Sequence, residues 1–212
     1  SSAAVEIGRN VSANYYNGKI DEARIYNRAL SPKEITSLNN WAPGPIGYWK
    51  FDENTGSSVA DSSGNGYNGT WVGTSTNLWK SGKFGTGGNF DGSTNYVTTN
   101  SSSSFKGLDQ FSVSLWFKAT SINGTTYNLY SEPVSGSNNN RVQLKIDTGT
   151  NRLLWGGRAS GDGGAFSTWV SNSASFPLTA GTWYHVEATF NSNTVLHSIY
   201  LNGVRETATD AV

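Results

Sequence analysis

Residues 110–120, QFSVSLWFKAT, alternate between apolar side chains and a second set that is mostly polar. The apolar set consists of Phe111, Val113, Leu115 and Phe117. The intervening positions hold Ser112, Ser114, Trp116 and Lys118. Because successive side chains of a β-strand point to opposite faces, a period of two predicts a strand with one face on a core. Such a strand needs neighbours, since its backbone groups must be hydrogen-bonded, so the chain must build a sheet.

Segments of strand character recur along the whole chain. They are rich in Val, Ile, Thr, Tyr and Trp, and turns of Gly, Asn and Ser separate them. The predicted strands cover residues 3–9, 19–26, 47–53, 87–99, 110–120, 126–132, 140–147, 151–157, 167–172, 182–191 and 195–203. One short helix is predicted after Ser31, where Pro32 and Glu34 complete a capping box. We therefore predict an all-β fold, an antiparallel two-sheet sandwich of the jelly-roll type.

Composition excludes several classes of function. The net charge is zero and 14% of the residues are charged, without the clusters of Lys and Arg that nucleic acid or an anionic membrane requires. No apolar run approaches the roughly 20 residues that span a bilayer. The chain has no Cys, so disulfides and thiolate chemistry are excluded. It also lacks Met, so we expect a processed product or a segment of a longer protein.

The sequence divides at a stiff connector. Residues 40–46 contain Pro43, Gly44 and Pro45, which neither a helix nor a central strand accepts. We predict closing strands and a helix over residues 1–39, a linker over 40–46, and the main body of a sandwich over 47–212.

Several motifs resemble the laminin-G-like, concanavalin-A-like jelly roll of prokaryotic surface proteins. IGYWKFDENTGSSVADSSGNGYNGT resembles the opening strand and loop of that family, and NFDGSTNYVTT and FSVSLWFKAT resemble the strands that follow. GTWYHVEATFN and IYLNGV resemble its late hairpin. IGR and YYNGKIDEARIYNRALSPKEI resemble its final strands and closing helix. The closing motifs precede the opening ones, so the chain resembles a cyclically permuted member of the family.

The resemblance leaves three arrangements open. Residues 1–39 could fold back onto 47–212 of the same chain, complete the preceding domain of a tandem array, or complete a neighbouring subunit by donor-strand complementation. We favour the second or third, because the chain ends where its own beginning would continue. The residues expected to link domains or subunits are Val5, Ile7, Ile20, Ala23, Ile25 and Leu30.

Two functions are considered. The leading hypothesis is a non-catalytic, extracellular structural or adhesive module, a repeat or subunit of a surface fibre whose partner is another copy of itself. The alternative is a carbohydrate-binding module of a larger secreted protein, since the resemblance implies carbohydrate binding for some members. Its glycan contacts would be Trp155 and Trp169, next to the Gly-rich stretch GGRASGDGG. Trp49, Trp116 and Trp183 lie in strand motifs and are expected in the core.

A structural calcium ion is the cofactor considered. The loop ADSSGNGYNGT combines Asp61 with Asn and Gly, whose carbonyls are hard oxygen ligands of the kind Ca²⁺ takes. Asp52 lies near the end of the opening strand, and the resemblance places Asp21 of the closing strand beside it. The competing interpretation is an Asx-turn at Asp61 with ordinary hydrogen bonds.

No pattern indicates catalysis. The two histidines, His185 and His197, fall within predicted strands, and no pair of carboxylates stands out as a glycosidase would require. We therefore predict a protein that is not an enzyme. Four Asn-X-Ser/Thr sequons permit surface glycosylation: Asn10, Asn68, Asn100 and Asn123.

Overall fold

The computed structural model describes residues 28–29, 31–32, 44–99, 110–122, 127–133, 140–147, 149–157, 168–171, 177–191, 196–206 and 208–210. The chain forms two compact units, Ser1–Pro45 and Ile46–Val212. Three groups of predictions lie outside the described residues. They are the strands over 3–9 and 19–26, the body of the helix after Ser31, and the linking residues Val5, Ile7, Ile20, Ala23, Ile25 and Leu30.

Within the described residues, the second unit contains fourteen β-strands. In chain order they are β1 (Ser58–Val59), β2 (Gly69–Val72), β3 (Trp79–Ser81), β4 (Thr86–Gly88), β5 (Tyr96–Thr99), β6 (Gln110–Phe117), β7 (Tyr127–Pro133), β8 (Asn140–Asp147), β9 (Arg152–Gly157), β10 (Thr168–Ser171), β11 (Tyr184–Asn191), β12 (Leu196–Leu201), β13 (Val204–Glu206) and β14 (Ala208–Asp210). Every pair of hydrogen-bonded strands is antiparallel. The prediction of an antiparallel all-β fold is confirmed.

Two large sheets form a sandwich. One has the strand order β14-β10-β9-β8-β7, and the other has the order β13-β12-β11-β6. A smaller sheet, β1-β2-β5, and the hairpin β3-β4 complete the described strands. Strand β7, at one edge of the five-stranded sheet, shifts register between Asn128 and Tyr130 and again between Glu132 and Pro133.

The main core lies between the two large sheets. The five-stranded sheet contributes Val142, Leu144, Ile146, Leu153 and Trp155. The four-stranded sheet contributes Phe117, Tyr184, Val186, Ala188, Ile199 and Leu201. Because side chains alternate along each strand, the intervening residues of β6, β11 and β12 belong to the outer face of the four-stranded sheet.

A second packed region, the aromatic cluster, consists of Phe51, Trp71, Trp79 and Phe90. Trp71 of β2 is 6% exposed, and its ring centroid lies 4.7 Å from that of Phe90 and 5.8 Å from that of Trp79. The Phe51 ring lies 6.2 to 6.4 Å from the other three. Since Trp79 belongs to β3, the cluster anchors the β3–β4 hairpin.

The strand predicted over residues 47–53 is wrong. The structure has a single antiparallel bridge there, between Trp49 and Asp61. Phe51 has a φ of 60°, which a bulky L-residue rarely adopts and which interrupts the extended backbone. Phe51 therefore joins the aromatic cluster, while the half-buried Trp49 donates its indole N–H to the carbonyl of Tyr67 at 2.8 Å.

An acidic turn divides the predicted strand 87–99 into β4 and β5. The Asp91 carboxylate accepts the backbone N–H groups of Ser93, Thr94 and Asn95 at 2.8 to 3.1 Å. It also accepts the Thr94 hydroxyl at 2.7 Å. Donation from the three backbone amides holds the pKa of Asp91 well below its ordinary value of 3.8.

We expect Asp91 to supply part of the pH dependence of stability. Its pKa is lower in the folded chain than in the unfolded one, so its contribution is complete above pH 3.8 and is lost as the pH falls toward the folded pKa. The difference in melting temperature between the wild type and Asp91→Asn, followed by circular dichroism over a pH series, should therefore shrink in acid. A difference that stays constant below pH 3.8 contradicts this expectation.

Candidate ligand-binding face

The outer face of the four-stranded sheet carries aromatic and polar side chains in register. Trp116 of β6 lies opposite His185 of β11. The next row crosses four strands and consists of Ser114, Glu187, Tyr200 and Arg205. The Ser114 hydroxyl and the His185 Nε2 are hydrogen-bonded at 2.9 Å. This bond joins the two rows.

The tip of the β3–β4 hairpin presents two side chains beside this face. Gly82 closes the tip by donating its N–H to the carbonyl of Gly85 at 3.0 Å. A Cβ on Gly82 would lie 2.5 Å from a backbone carbonyl oxygen of β4, and Gly85 has a φ of 60°. Glycine at both positions permits this tight tip, which exposes Lys83 and Phe84.

Trp116 is fixed by its neighbours, yet 41% of its surface is exposed. The Lys83 Nζ lies 4.7 Å from the centre of its ring, within cation–π range. Phe84, itself 70% exposed, meets the indole edge-on with 5.8 Å between ring centroids. The His185 ring lies 5.2 Å from it. Trp116 and Phe84 therefore present a positioned aromatic surface to solvent.

A shallow depression opens beside Trp116, lined by Lys83, Trp116, Trp183, His185, Asn202 and Gly203. Asn202 and Gly203 form the β12–β13 turn with φ values of 51° and 81°, the pair of left-handed residues that a type I′ turn needs. The Asn202 Oδ1 accepts the backbone N–H of His185 at 2.9 Å, which orients the amide. At the rim, the Lys118 Nζ lies 5.1 Å from the ring centre of the half-buried Trp183. The depression, with Phe84, is called the Trp116 site below.

Comparison with known proteins shows what the chain resembles. The family model Laminin_G_3, described as the concanavalin A-like lectin/glucanases superfamily, matches residues 1–36 and 91–212. The chain belongs to this family. Strands β6, β11 and β12 of the Trp116 site fall within the matched residues, whereas the β3–β4 hairpin lies between the two matched parts. The concanavalin A-like fold is thereby confirmed, and the permuted order of the motifs stays a prediction.

A solved structure is similar to this Laminin_G_3 protein. It is domain 4 of AbnA, a GH43 extracellular arabinanase from Geobacillus stearothermophilus, in complex with arabinotriose. The two share 19% identity over 77% of this chain and 74% of that one, with a TM-score of 0.51. At this identity the likeness is one of fold. No curated protein matches the chain.

For two tryptophans of the Laminin_G_3 sandwich, the observed burial is the reverse of the predicted burial. Trp155, predicted as a glycan contact, is 0% exposed, so that prediction is wrong. Its Nε1–H is donated to the carbonyl of Thr189 in the opposite sheet at 2.8 Å, and Phe111 packs edge-on against it. Trp116, expected in the core, is exposed instead, as its place in the polar set of residues 110–120 indicates. The side chain of Trp169 lies outside the described residues, so its glycan contact stays a prediction.

Asp61, a predicted calcium ligand, is hydrogen-bonded by the backbone around it. Its carboxylate accepts the N–H groups of Tyr48, Ser63 and Tyr67, each at 2.9 Å. It also accepts the Ser63 hydroxyl at 2.8 Å. Burial raises the pKa of Asp61, but these hydrogen bonds outweigh it and the pKa is lowered. The contacts match the Asx-turn interpretation of the loop.

The other predicted calcium ligands do not form a set with Asp61 in the described part of the chain. Asp52 accepts the backbone N–H of Thr86 through its Oδ1 at 3.1 Å, which ties it to the hairpin. Among the described residues, no group of three or more His, Cys, Asp and Glu could hold a metal ion. Asp21 lies outside those residues, so the calcium site stays a prediction.

The remaining sequence predictions concern surface and catalytic groups. Asn68 is exposed, and its Oδ1 accepts the N–H of Asp61 at 2.9 Å. The sequons at Asn10, Asn100 and Asn123 lie outside the described residues. His197 is half-buried, and burial lowers its pKa. In the part of the chain that is described, no helix combines the length and apolar character needed to cross a membrane.

Proposed function

We propose that this domain is a non-catalytic carbohydrate-binding module and that its ligand occupies the Trp116 site. The observation that carries the proposal is the exposed pair Trp116 and Phe84, positioned beside hydrogen-bonding groups on a sheet. A sugar ring has an apolar C–H face and a rim of hydroxyl groups. Aromatic rings with a few placed polar groups are the usual lining of a small-molecule site. The bound arabinotriose of the similar solved structure supports this ligand class.

The polar groups of the site suit binding rather than hydrolysis. Glu187 is the single carboxylate in the two described rows of the face, between Ser114 and Tyr200. Glycosidases of the usual kind need two carboxyl groups on either side of the scissile bond. The proposed role of Glu187, as of Asn202, is to exchange hydrogen bonds with sugar hydroxyls. We place the module in a secreted or surface protein, where such ligands occur.

Trp116→Ala should weaken glycan binding about tenfold, since exposed aromatic anchors commonly supply over 1 kcal/mol at binding sites. A glycan array that includes arabinan oligosaccharides would find the ligand, and isothermal titration calorimetry would then compare the variants. Tyr96→Ala is the matched control, because Tyr96 is 55% exposed on β5 of the smaller sheet. The control should bind as the wild type does. Equal loss in both variants, or an unchanged affinity of Trp116→Ala, would place the site elsewhere.

The fibre hypothesis depends on a different part of the chain. Its linking residues within 1–39 lie outside the described residues, so donor-strand complementation and self-assembly stay predictions of the sequence. Light scattering of the purified chain separates the two functions. A monomer that binds glycan agrees with the module proposed here, whereas concentration-dependent filaments would favour the fibre.

A further inference from the structure

The Trp116 site carries positive charge in a chain whose net charge is zero. Lys83 lies over the Trp116 ring and Lys118 over the Trp183 ring. Within the described residues, neither ammonium group forms an ion pair. Each is held against an aromatic face, and no carboxylate of the described residues neutralises its charge.

The acidic side chains nearest the depression lie outside its lining. None of the described residues that line it is acidic. Glu187 lies in the next row, and Arg205 belongs to the same row beyond Tyr200. Asp52 lies at the hairpin, where its Oδ1 accepts the backbone N–H of Thr86, and it is not among the described lining residues. Among the described residues, the lining of the depression contains Lys83 and no carboxylate, so the lining itself is positive and would attract an anionic group.

We propose, on the basis of the proposed function, that the Trp116 site takes an acidic saccharide, whose sugar carries a carboxylate or a sulfate group. The C–H face of the sugar packs on Trp116 and Phe84, and the anionic group accepts a hydrogen bond from the Lys83 Nζ. An ammonium group has three N–H donors, so Lys83 donates to the ligand while it stays over the indole. Asn202, whose Oδ1 is bonded to the backbone, offers its amide NH₂ to a hydroxyl group.

The cation–π contacts also reduce the conformational entropy that the lysine side chains lose when an anionic sugar binds. A free lysine side chain loses rotamer freedom when it binds an anion, and this loss reduces the affinity. Lys83 is held over Trp116 by a contact within the protein, so less freedom is lost on binding. The hairpin tip, which lies outside the residues matched by the family model, then determines which sugars this member prefers.

The test compares pairs of ligands with and without the free anionic group. Oligogalacturonate is titrated against its methyl ester, and dextran sulfate against dextran, by calorimetry at low and high salt. We expect an acidic ligand to bind at least about fivefold more tightly than its neutral partner at low salt, with the preference reduced by screening at high salt. Lys83→Gln should remove most of the preference. Lys50→Gln is the control, because Lys50 is exposed and lies over the Tyr48 ring, outside the depression.

Each outcome decides a different claim. A preference for the uronate or for the sulfate that Lys83→Gln removes and Lys50→Gln keeps supports the proposal and identifies the anionic group. Equal affinity for charged and neutral partners overturns it and leaves carbohydrate binding intact. A preference that survives Lys83→Gln also overturns it, since residues other than Lys83 would then bind the anionic group. If none of the four ligands binds, the proposal fails, and the array with Trp116→Ala separately decides the proposed function.

Discussion

Trp155→Ala is expected to lower the free energy of unfolding by about 3–5 kcal/mol, the usual cost of truncating a fully buried tryptophan to alanine. Trp155 is 0% exposed and reaches across the sandwich, where its Nε1–H is donated to the carbonyl of Thr189 in the other large sheet. Its removal leaves a cavity between the sheets and removes the edge-on contact with Phe111. Equilibrium unfolding in urea would measure the loss.

Trp116→Ala serves as the control for Trp155→Ala, because it removes the same side chain from the outer face. We expect the free energy of unfolding of the control to change by less than about 1 kcal/mol, as at most exposed positions. The two substitutions should thus separate stability from binding. A Trp155→Ala protein that keeps its stability and loses glycan affinity would restore the surface interpretation of Trp155.

Trp71→Ala should release the hairpin that carries Lys83 and Phe84. Trp71 is 6% exposed and contacts three other rings, among them Trp79 of the hairpin. Truncation of a buried tryptophan costs about 3–5 kcal/mol, partly offset because the Trp71 Nε1–H has no hydrogen-bond partner in the described part of the chain. A net local loss of about 2 kcal/mol accelerates hydrogen exchange of the β3–β4 amides at least about thirtyfold.

Hydrogen exchange also distinguishes local opening of the hairpin from global unfolding. Amides of β8 and β9, in the centre of the five-stranded sheet, should exchange at nearly the wild-type rate in Trp71→Ala. Trp71→Phe keeps a ring in the cluster and removes the unpaired N–H, so it should restore most of the protection. If β3–β4 exchange is unchanged in Trp71→Ala, the aromatic cluster does not hold the hairpin.

The positions of strands such as β6 and β9 were predictable from the sequence, whereas the face on which a given tryptophan lies was not. In β6 the period of two locates the strand and places Trp116 in the mostly polar set, yet the residue type led to the wrong expectation that Trp116 is buried. In β9 the consecutive residues Leu153, Leu154 and Trp155 are all buried. The strand therefore shows no alternation of apolar and polar residues that would indicate which side chains face solvent. The glycines that follow Trp155 suggested an exposed loop, whereas they lie in the strand itself.

The Trp116 site depends on contacts between residues that are distant in sequence. Lys83 and Phe84 come from a hairpin of short strands, and Trp116 of β6 lies more than thirty residues further along the chain. No local pattern predicts that the hairpin tip lies against this part of the sheet. Phe51 is similar, because its left-handed φ and its contacts with rings from later parts of the chain are not visible in the local pattern of residues 47–53.

The irregular strand β7 affects how readily one copy of this domain pairs with another at high concentration. Among the described strands it lies at one edge of the five-stranded sheet, and its two register shifts interrupt the even spacing of its outward N–H and C=O groups. Pro133 supplies no N–H at all. A straight strand from another molecule would find no continuous ladder there, so the edge resists sheet-to-sheet aggregation. Chains of this kind could therefore be packed densely while β7 stays closed to unwanted pairing.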